Sequence, residues 1–135
     1  MITLQKKINF FDCDPAGILF YGKIFFICHA AYEDLVSTFE LDKDYWQNED
    51  FVVPIINSTA DYLLPLKNGD TVTVEVTVSD LRSSSFELSY KCFNQRKELC
   101  ARVKTVHVYV DKKSWKKEEL LREITEKLKT HKSED

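Results

Sequence analysis

The chain has 135 residues, with 19 lysines and arginines against 22 aspartates and glutamates, a formal net charge of −3. This length suits one domain, and the near balance of charge is at odds with the strongly basic face of a general nucleic-acid binder. With 44% hydrophobic and 30% charged residues, a packed core is expected, and no apolar run approaches the ~20 residues of a membrane span.

Residues 1–7, Met-Ile-Thr-Leu-Gln-Lys-Lys, carry their lysines after the apolar residues, with no long apolar stretch behind them. They do not read as a secretory signal, so a cytoplasmic protein is expected. Residues 2–11 form a first, weakly patterned strand. Residues 21–40 repeat apolar side chains at helical spacing: Tyr21, Phe25, Cys28, Tyr32, Leu35 and Phe39. Phe26, Ile27, Ala30, Ala31 and Val36 widen that stripe, which predicts a helix covered on several sides.

Residues 51–64, entered near Pro54 and closed by Pro65, read as a second strand. Residues 71–79 alternate without fault, valine at every even position and polar residues at odd ones, the pattern of a half-buried strand. Phe86, Leu88, Tyr90 and Cys92 give the next. In 99–110 the alternation drifts from Ala101 and Val103 to Val106, Val108 and Val110, which predicts a bulge or cover on both faces. His107 reads as one face of this strand. Short turns at 68–70, 80–84 and 94–97 imply an antiparallel meander. At the C-terminus Ser114 reads as a helix cap, and Leu120, Leu121, Ile124 and Leu128 as the apolar stripe of an amphipathic helix over about 114–130. The expected fold class is α+β: a five-stranded antiparallel sheet wrapped around a long central helix, plus a C-terminal amphipathic helix, in a single domain, 1–135.

Cys13, Cys28, Cys92 and Cys100 show no CxxC spacing, and His29, His107 and His131 are the only histidines. No zinc site is expected, and the cysteines read as free thiols. The unusual stretch is 12–22, Asp-Cys-Asp-Pro-Ala-Gly-Ile-Leu-Phe-Tyr-Gly, with two carboxylates between a strand and the buried helix. Asp-Pro and Gly17 can simply build a turn whose carboxylate caps backbone amides. Alternatively, the loop holds a carboxylate beside the exposed amides of a helix start, which can stabilise a developing oxyanion.

The run 11–21, Phe-Asp-Cys-Asp-Pro-Ala-Gly-Ile-Leu-Phe-Tyr, resembles the active-site loop of hotdog-fold acyl-CoA thioesterases of the 4-hydroxybenzoyl-CoA type. Pro54-Ile55-Ile56, Ala60-Asp61-Tyr62 and the Gly69-Asp70 turn resemble that family's second strand and the step into its third. Residues 27–33 and 50–54 resemble the 1,4-dihydroxy-2-naphthoyl-CoA branch instead, so the aromatic acyl group stays open between the two. The resemblance implies a hotdog fold, hydrolysis of an aromatic acyl-CoA to free acid and CoA, no metal or redox cofactor, and a homodimer or homotetramer with its sites between subunits.

Matched residue by residue, Asp14 takes the place of the catalytic carboxylate, as nucleophile or as general base. Tyr21 takes that of the backbone amide that polarises the carbonyl, and Gly17 that of the glycine letting the loop approach substrate. Arg82 matches a position contacting the nucleotide of CoA, where Ser83 and Ser84 replace further basic residues. His29 falls at a position bordering the acyl pocket, and Asp61 is a substrate-binding candidate, though each also reads as a structural hydrogen-bonding residue. Asp12 reads as a turn or capping residue. Gly22 departs from the family's proline, histidine or asparagine. The rival expectation is a non-catalytic hotdog module that binds acyl-CoA or a lipid.

Overall fold

A computed structural model of the chain describes residues 1–133. The strands are β1 (Ile2–Lys7), β2 (Phe51–Val52), β3 (Ile55–Tyr62), β4 (Thr71–Leu81), β5 (Ser85–Phe93), β6 (Leu99–Val108) and β7 (Val110–Asp111). The helices are α1 (Lys23–Val36) and α2 (Arg122–Thr130), and a 3-10 turn spans Phe10–Asp12. Five strands form one antiparallel sheet in the order β1-β4-β5-β6-β3, while β2 and β7 pair separately.

The valine alternation of β4 explains how the sheet meets its helix. Val72, Val74, Val76 and Val78 are fully buried on one face. Register carries that face across the sheet: Val76 lies opposite Tyr90, Tyr90 opposite Val103, and Val103 opposite Ala60. Against it α1 packs Ile24, Ile27, Cys28, Ala31, Tyr32, Leu35 and Val36. Each large aliphatic side chain so buried contributes roughly 1.5–3 kcal/mol of transfer free energy. After α1, the hydroxyls of Ser37 and Thr38 donate to the carbonyls of Asp34 (2.5 Å) and Leu35 (2.7 Å) and so help close the helix end.

The helix is shorter than the 21–40 the spacing predicts, and its buried positions form one broad face. Phe26 is 70% exposed, so the expected cover on several sides is not met within one subunit. The predicted strand 51–64 is two strands: Pro54 divides β2, which pairs with β7, from β3, which pairs with β6. β6 does carry a bulge, but at its start: Cys92 lies opposite Ala101 and Phe93 opposite Leu99, which leaves Cys100 as the extra residue. The drift further along has another cause: Ala101, Val103, Thr105 and His107 all face the core, and two of those places are taken by polar residues. The other ladder irregularities fall between Ile55 and Asn57 and between Val78 and Asp80.

The C-terminal helix begins at Arg122, not near Ser114. The Asp111 carboxylate accepts the N–H groups of Lys113 and Ser114 and sets a turn there. The chain then runs extended, with the N–H of Glu118 donating to the Tyr109 carbonyl and that of Leu120 to the Ser83 carbonyl. No helix among the described residues is long and apolar enough to cross a membrane.

Candidate active site

The loop 12–22 is pinned at both ends. Asp12 is buried; its Oδ2 accepts the Asn9 N–H at 2.9 Å and its Oδ1 lies 3.9 Å from Lys23 Nζ. Its carbonyl accepts the Phe20 N–H at 2.9 Å, so Asp12 closes the loop as a structural residue. Leu19 donates to the Leu66 carbonyl (2.7 Å), and Asn68 to that of Gly17 (3.2 Å), which fixes the loop on the segment leading into β4. Gly17 has φ +79°, a conformation L-residues resist, while a Cβ built there would meet open space. Conformation is what this turn requires of Gly17.

Asp14 is half-buried. One carboxylate oxygen, Oδ1, accepts the Ala16 N–H at 2.9 Å, an Asx turn that fixes the side chain's direction. It lines a cleft of about 320 Å³ together with Tyr21, Ile24, Tyr62, Leu64 and Cys100. Tyr21 stands just ahead of α1, and among the described residues its N–H has no hydrogen-bond partner. Its carbonyl accepts the Tyr62 phenol at 2.5 Å. Burial raises the Tyr62 pKa, with Tyr21 and Cys28 adding to it, so the phenol keeps its proton and donates. Burial also raises the Cys100 thiol, and burial with the charges of Asp12 and Asp14 raises that of Cys13. Neither thiol is primed as a nucleophile, and Asp14 is the carboxylate that lines the cleft.

A second cavity, of about 210 Å³, opens one helical turn further along α1 and is bordered by Phe25, His29, Ile55, Ser58, Tyr90 and Thr105. His29 Nδ1 sits 3.0 Å from Glu33 Oε2, and the ring lies 5.9 Å from that of Trp46. It is thus a hydrogen-bonded histidine at the cavity's rim rather than in the core. His107 is fully buried, with its Nε2 2.7 Å from Thr105 Oγ1.

The remaining predicted residues do not reach the cleft within one subunit. Asp61 is exposed on β3, and strand alternation turns it to the opposite face from Ala60 and Tyr62, beside Arg102 of β6. Arg82 pairs with Asp80 at 2.9 Å, just beyond the far end of β4. The Asp14 loop packs at the near end, roughly 33 Å away at ~3.3 Å per strand residue. Tyr62 is the site residue to which sequence reasoning gave no role. Its signal was its place beside Asp61 in the matched strand segment. No three His, Cys, Asp or Glu among the described residues are grouped to hold a metal ion.

A sheet curled over one helix, with a carboxylate loop at the helix start, is the hotdog arrangement. The chain belongs to the thioesterase-like superfamily, whose family model matches residues 8–128. It is 30% identical over 133 residues to 1,4-dihydroxy-2-naphthoyl-CoA hydrolase of Crocosphaera subtropica, covering 96% of this chain and 97% of that one. It is 32% identical to the enzyme of that name from Trichodesmium erythraeum, over 89% of each chain. The fold is shared with Slr0204, a 1,4-dihydroxy-2-naphthoyl-CoA thioesterase from Synechocystis, at a TM-score of 0.83 and 23% identity over 94% of each chain. SAV2348 of Staphylococcus aureus, solved in complex with CoA, superimposes with a TM-score of 0.88 at 11% identity, over 98% of this chain and 85% of that one. The expectation of an acyl-CoA thioester hydrolase agrees with these relatives.

Proposed function

We propose that this chain hydrolyses an aromatic acyl-CoA thioester to the free acid and CoA, with 1,4-dihydroxy-2-naphthoyl-CoA the favoured substrate of the two left open by the sequence. The relatives' names support that choice. The observation that carries the catalytic reading is the shared cleft of Asp14 and the unpartnered Tyr21 N–H. Asp14 attacks the thioester carbonyl, giving an acyl anhydride that water then hydrolyses to free the acid and the carboxylate, or it takes a proton from an attacking water. The Tyr21 N–H receives the oxyanion, and one such donor is worth roughly 10²–10³ in rate. CoA then leaves as a thiolate whose thiol pKa is near ~8.5, so no strong general acid is needed to expel it.

The working unit is a homodimer or a homotetramer built from it. Strand β3 is a sheet edge exposed at nearly every position, and it carries Ile55, Ile56 and Tyr62. Such an edge offers unpaired backbone groups to a second copy. Both cavities lie along β3, Tyr62 lining the first and Ile55 and Ser58 the second, so pairing of two β3 strands would cover both with a second copy. Contact of Arg82 with the CoA nucleotide also requires that partner, given its distance from Asp14 along β4.

Release of free thiol, measured over a panel of aromatic and aliphatic acyl-CoAs, tests the reading. Turnover of aromatic members supports it. Tight binding of acyl-CoA with no thiol released overturns it in favour of the non-catalytic module.

A further inference from the structure

The second cavity has an apolar rim and a polar floor, and the floor is wired. Tyr90 Oη lies 3.0 Å from Thr105 Oγ1, and Thr105 Oγ1 lies 2.7 Å from His107 Nε2. All three side chains are buried, and register sets Ser58 of β3 directly beside Thr105. The His107 ring is held in place by stacking on Phe86, at 4.7 Å and 5° between planes, and by Tyr32 at 4.4 Å.

The chain has a direction. His107 Nδ1 is buried without a hydrogen-bond partner. A bare lone pair there costs less than a buried unpaired N–H, so the proton belongs on Nε2, where it donates to Thr105. Thr105 and Tyr90 share one hydrogen bond, in which either hydroxyl can donate. The arrangement in which Thr105 donates continues the direction set at His107, so that successive bonds polarise one another, and it leaves the Tyr90 hydrogen for a group in the cavity. Burial raises the Tyr90 phenol and lowers His107, so Tyr90 keeps its proton and His107 stays neutral at physiological pH.

We propose that this cavity seats the ring of the acyl group and that the His107–Thr105–Tyr90 chain presents the Tyr90 O–H as a fixed donor to an oxygen substituent on that ring. Tyr90 and Thr105 are then specificity-determining residues for a hydroxylated aromatic acyl group, and His107 is a positioning residue acting through Thr105. This rests on the hydrolase reading above. The dimensions agree: an apolar cavity of roughly 150 Å³ holds one benzene ring, and this one is about 210 Å³ and open at its rim toward His29. The second cavity begins one turn of α1 beyond the Asp14 cleft, about 5.4 Å, so an acyl group with its carbonyl at Tyr21 extends its ring that way.

The test compares kcat/KM for 1,4-dihydroxy-2-naphthoyl-CoA and 2-naphthoyl-CoA in the wild type, in Tyr90→Phe, in Thr105→Val and in Thr105→Ser. The wild type should prefer the hydroxylated ring by about tenfold or more, the scale of one well-placed hydrogen bond. That ratio should fall toward one in Tyr90→Phe and Thr105→Val, and Thr105→Ser, which keeps the hydroxyl, should restore it. An unchanged ratio in folded Tyr90→Phe overturns the proposal. Calorimetric binding of 1,4-dihydroxy-2-naphthoate and 2-naphthoate to the wild type gives a readout independent of turnover and of the variants' folding. Hydroxyl preference in binding without any hydrolysis supports the ring site and refutes the hydrolase. Hydrolysis with no hydroxyl preference, in binding or in rate, does the reverse.

Discussion

The phenol of Tyr62, at the end of β3, donates a 2.5 Å hydrogen bond to the backbone carbonyl of Tyr21, just ahead of α1. It ties the sheet's edge strand to the peptide group adjoining the amide we assign to the oxyanion. The bond is local, but it couples the edge where a second subunit would pair to the geometry of the cleft.

If that bond aims the Tyr21 amide, Tyr62→Phe should lower kcat by about tenfold with a smaller change in KM, since the lost alignment matters most in the transition state. Stability should fall by only ~1 kcal/mol, as for one hydrogen bond. Tyr21→Phe should be mild because the amide remains, and Tyr21→Pro, which removes it, should be severe. Steady-state kinetics beside thermal melts separate these effects; equal kcat in Tyr62→Phe and wild type would remove Tyr62 from the mechanism.

His107 makes stability depend on pH. Burial, with a smaller contribution from His29, lowers it from its ordinary 6.5 to about 3. Between those values the unfolded chain binds a proton that the folded one refuses. The neutral ring's contribution is therefore fully present above pH 6.5 and lost as pH falls toward 3, an effect on the order of 5 kcal/mol at most. His107→Gln should be less stable than wild type at pH 7 and should lose less on acidification. Melting curves from pH 7 to pH 4 read the difference, and parallel pH profiles for the two proteins would contradict it.

Much of this architecture is written in local sequence. The Val72–Val78 alternation, the breaker-marked turns and the Asp14 loop are short-range patterns, and the sheet and the cleft's carboxylate follow from them. What escaped depends on partners distant in the chain. Ser114 resembles a helix cap, but the carboxylate of Asp111 captures the neighbouring amides, and Tyr109 and Ser83 hold the following residues extended. Thr105 and His107 break the apolar alternation because they satisfy one another and Tyr90 inside the core, and no periodicity reports that. Tyr62 finds Tyr21 across 41 residues. Arg82 is matched by position alone, and its distance from Asp14 shows only in the length of β4.

The β3 edge gives an assembly prediction. Ile56 is 62% exposed on that strand. Ile56→Lys should move the protein toward monomer, because a charge on an edge strand opposes edge-to-edge pairing. Turnover should fall with the dimer fraction if the site is shared between subunits. Sedimentation velocity measured alongside activity at several concentrations follows both. A wild type that sediments as a monomer at full activity would exclude the shared site.

If Asp14 performs the chemistry, Asp14→Asn should lose at least about 10²-fold in kcat, with an unchanged melting temperature and substrate still bound, in single-turnover and steady-state thiol release from 1,4-dihydroxy-2-naphthoyl-CoA. Asp12→Asn, at the loop's buried structural carboxylate, should lose far less turnover for a comparable or greater loss of stability. Wild-type turnover in a folded Asp14→Asn protein would show that another group does the chemistry.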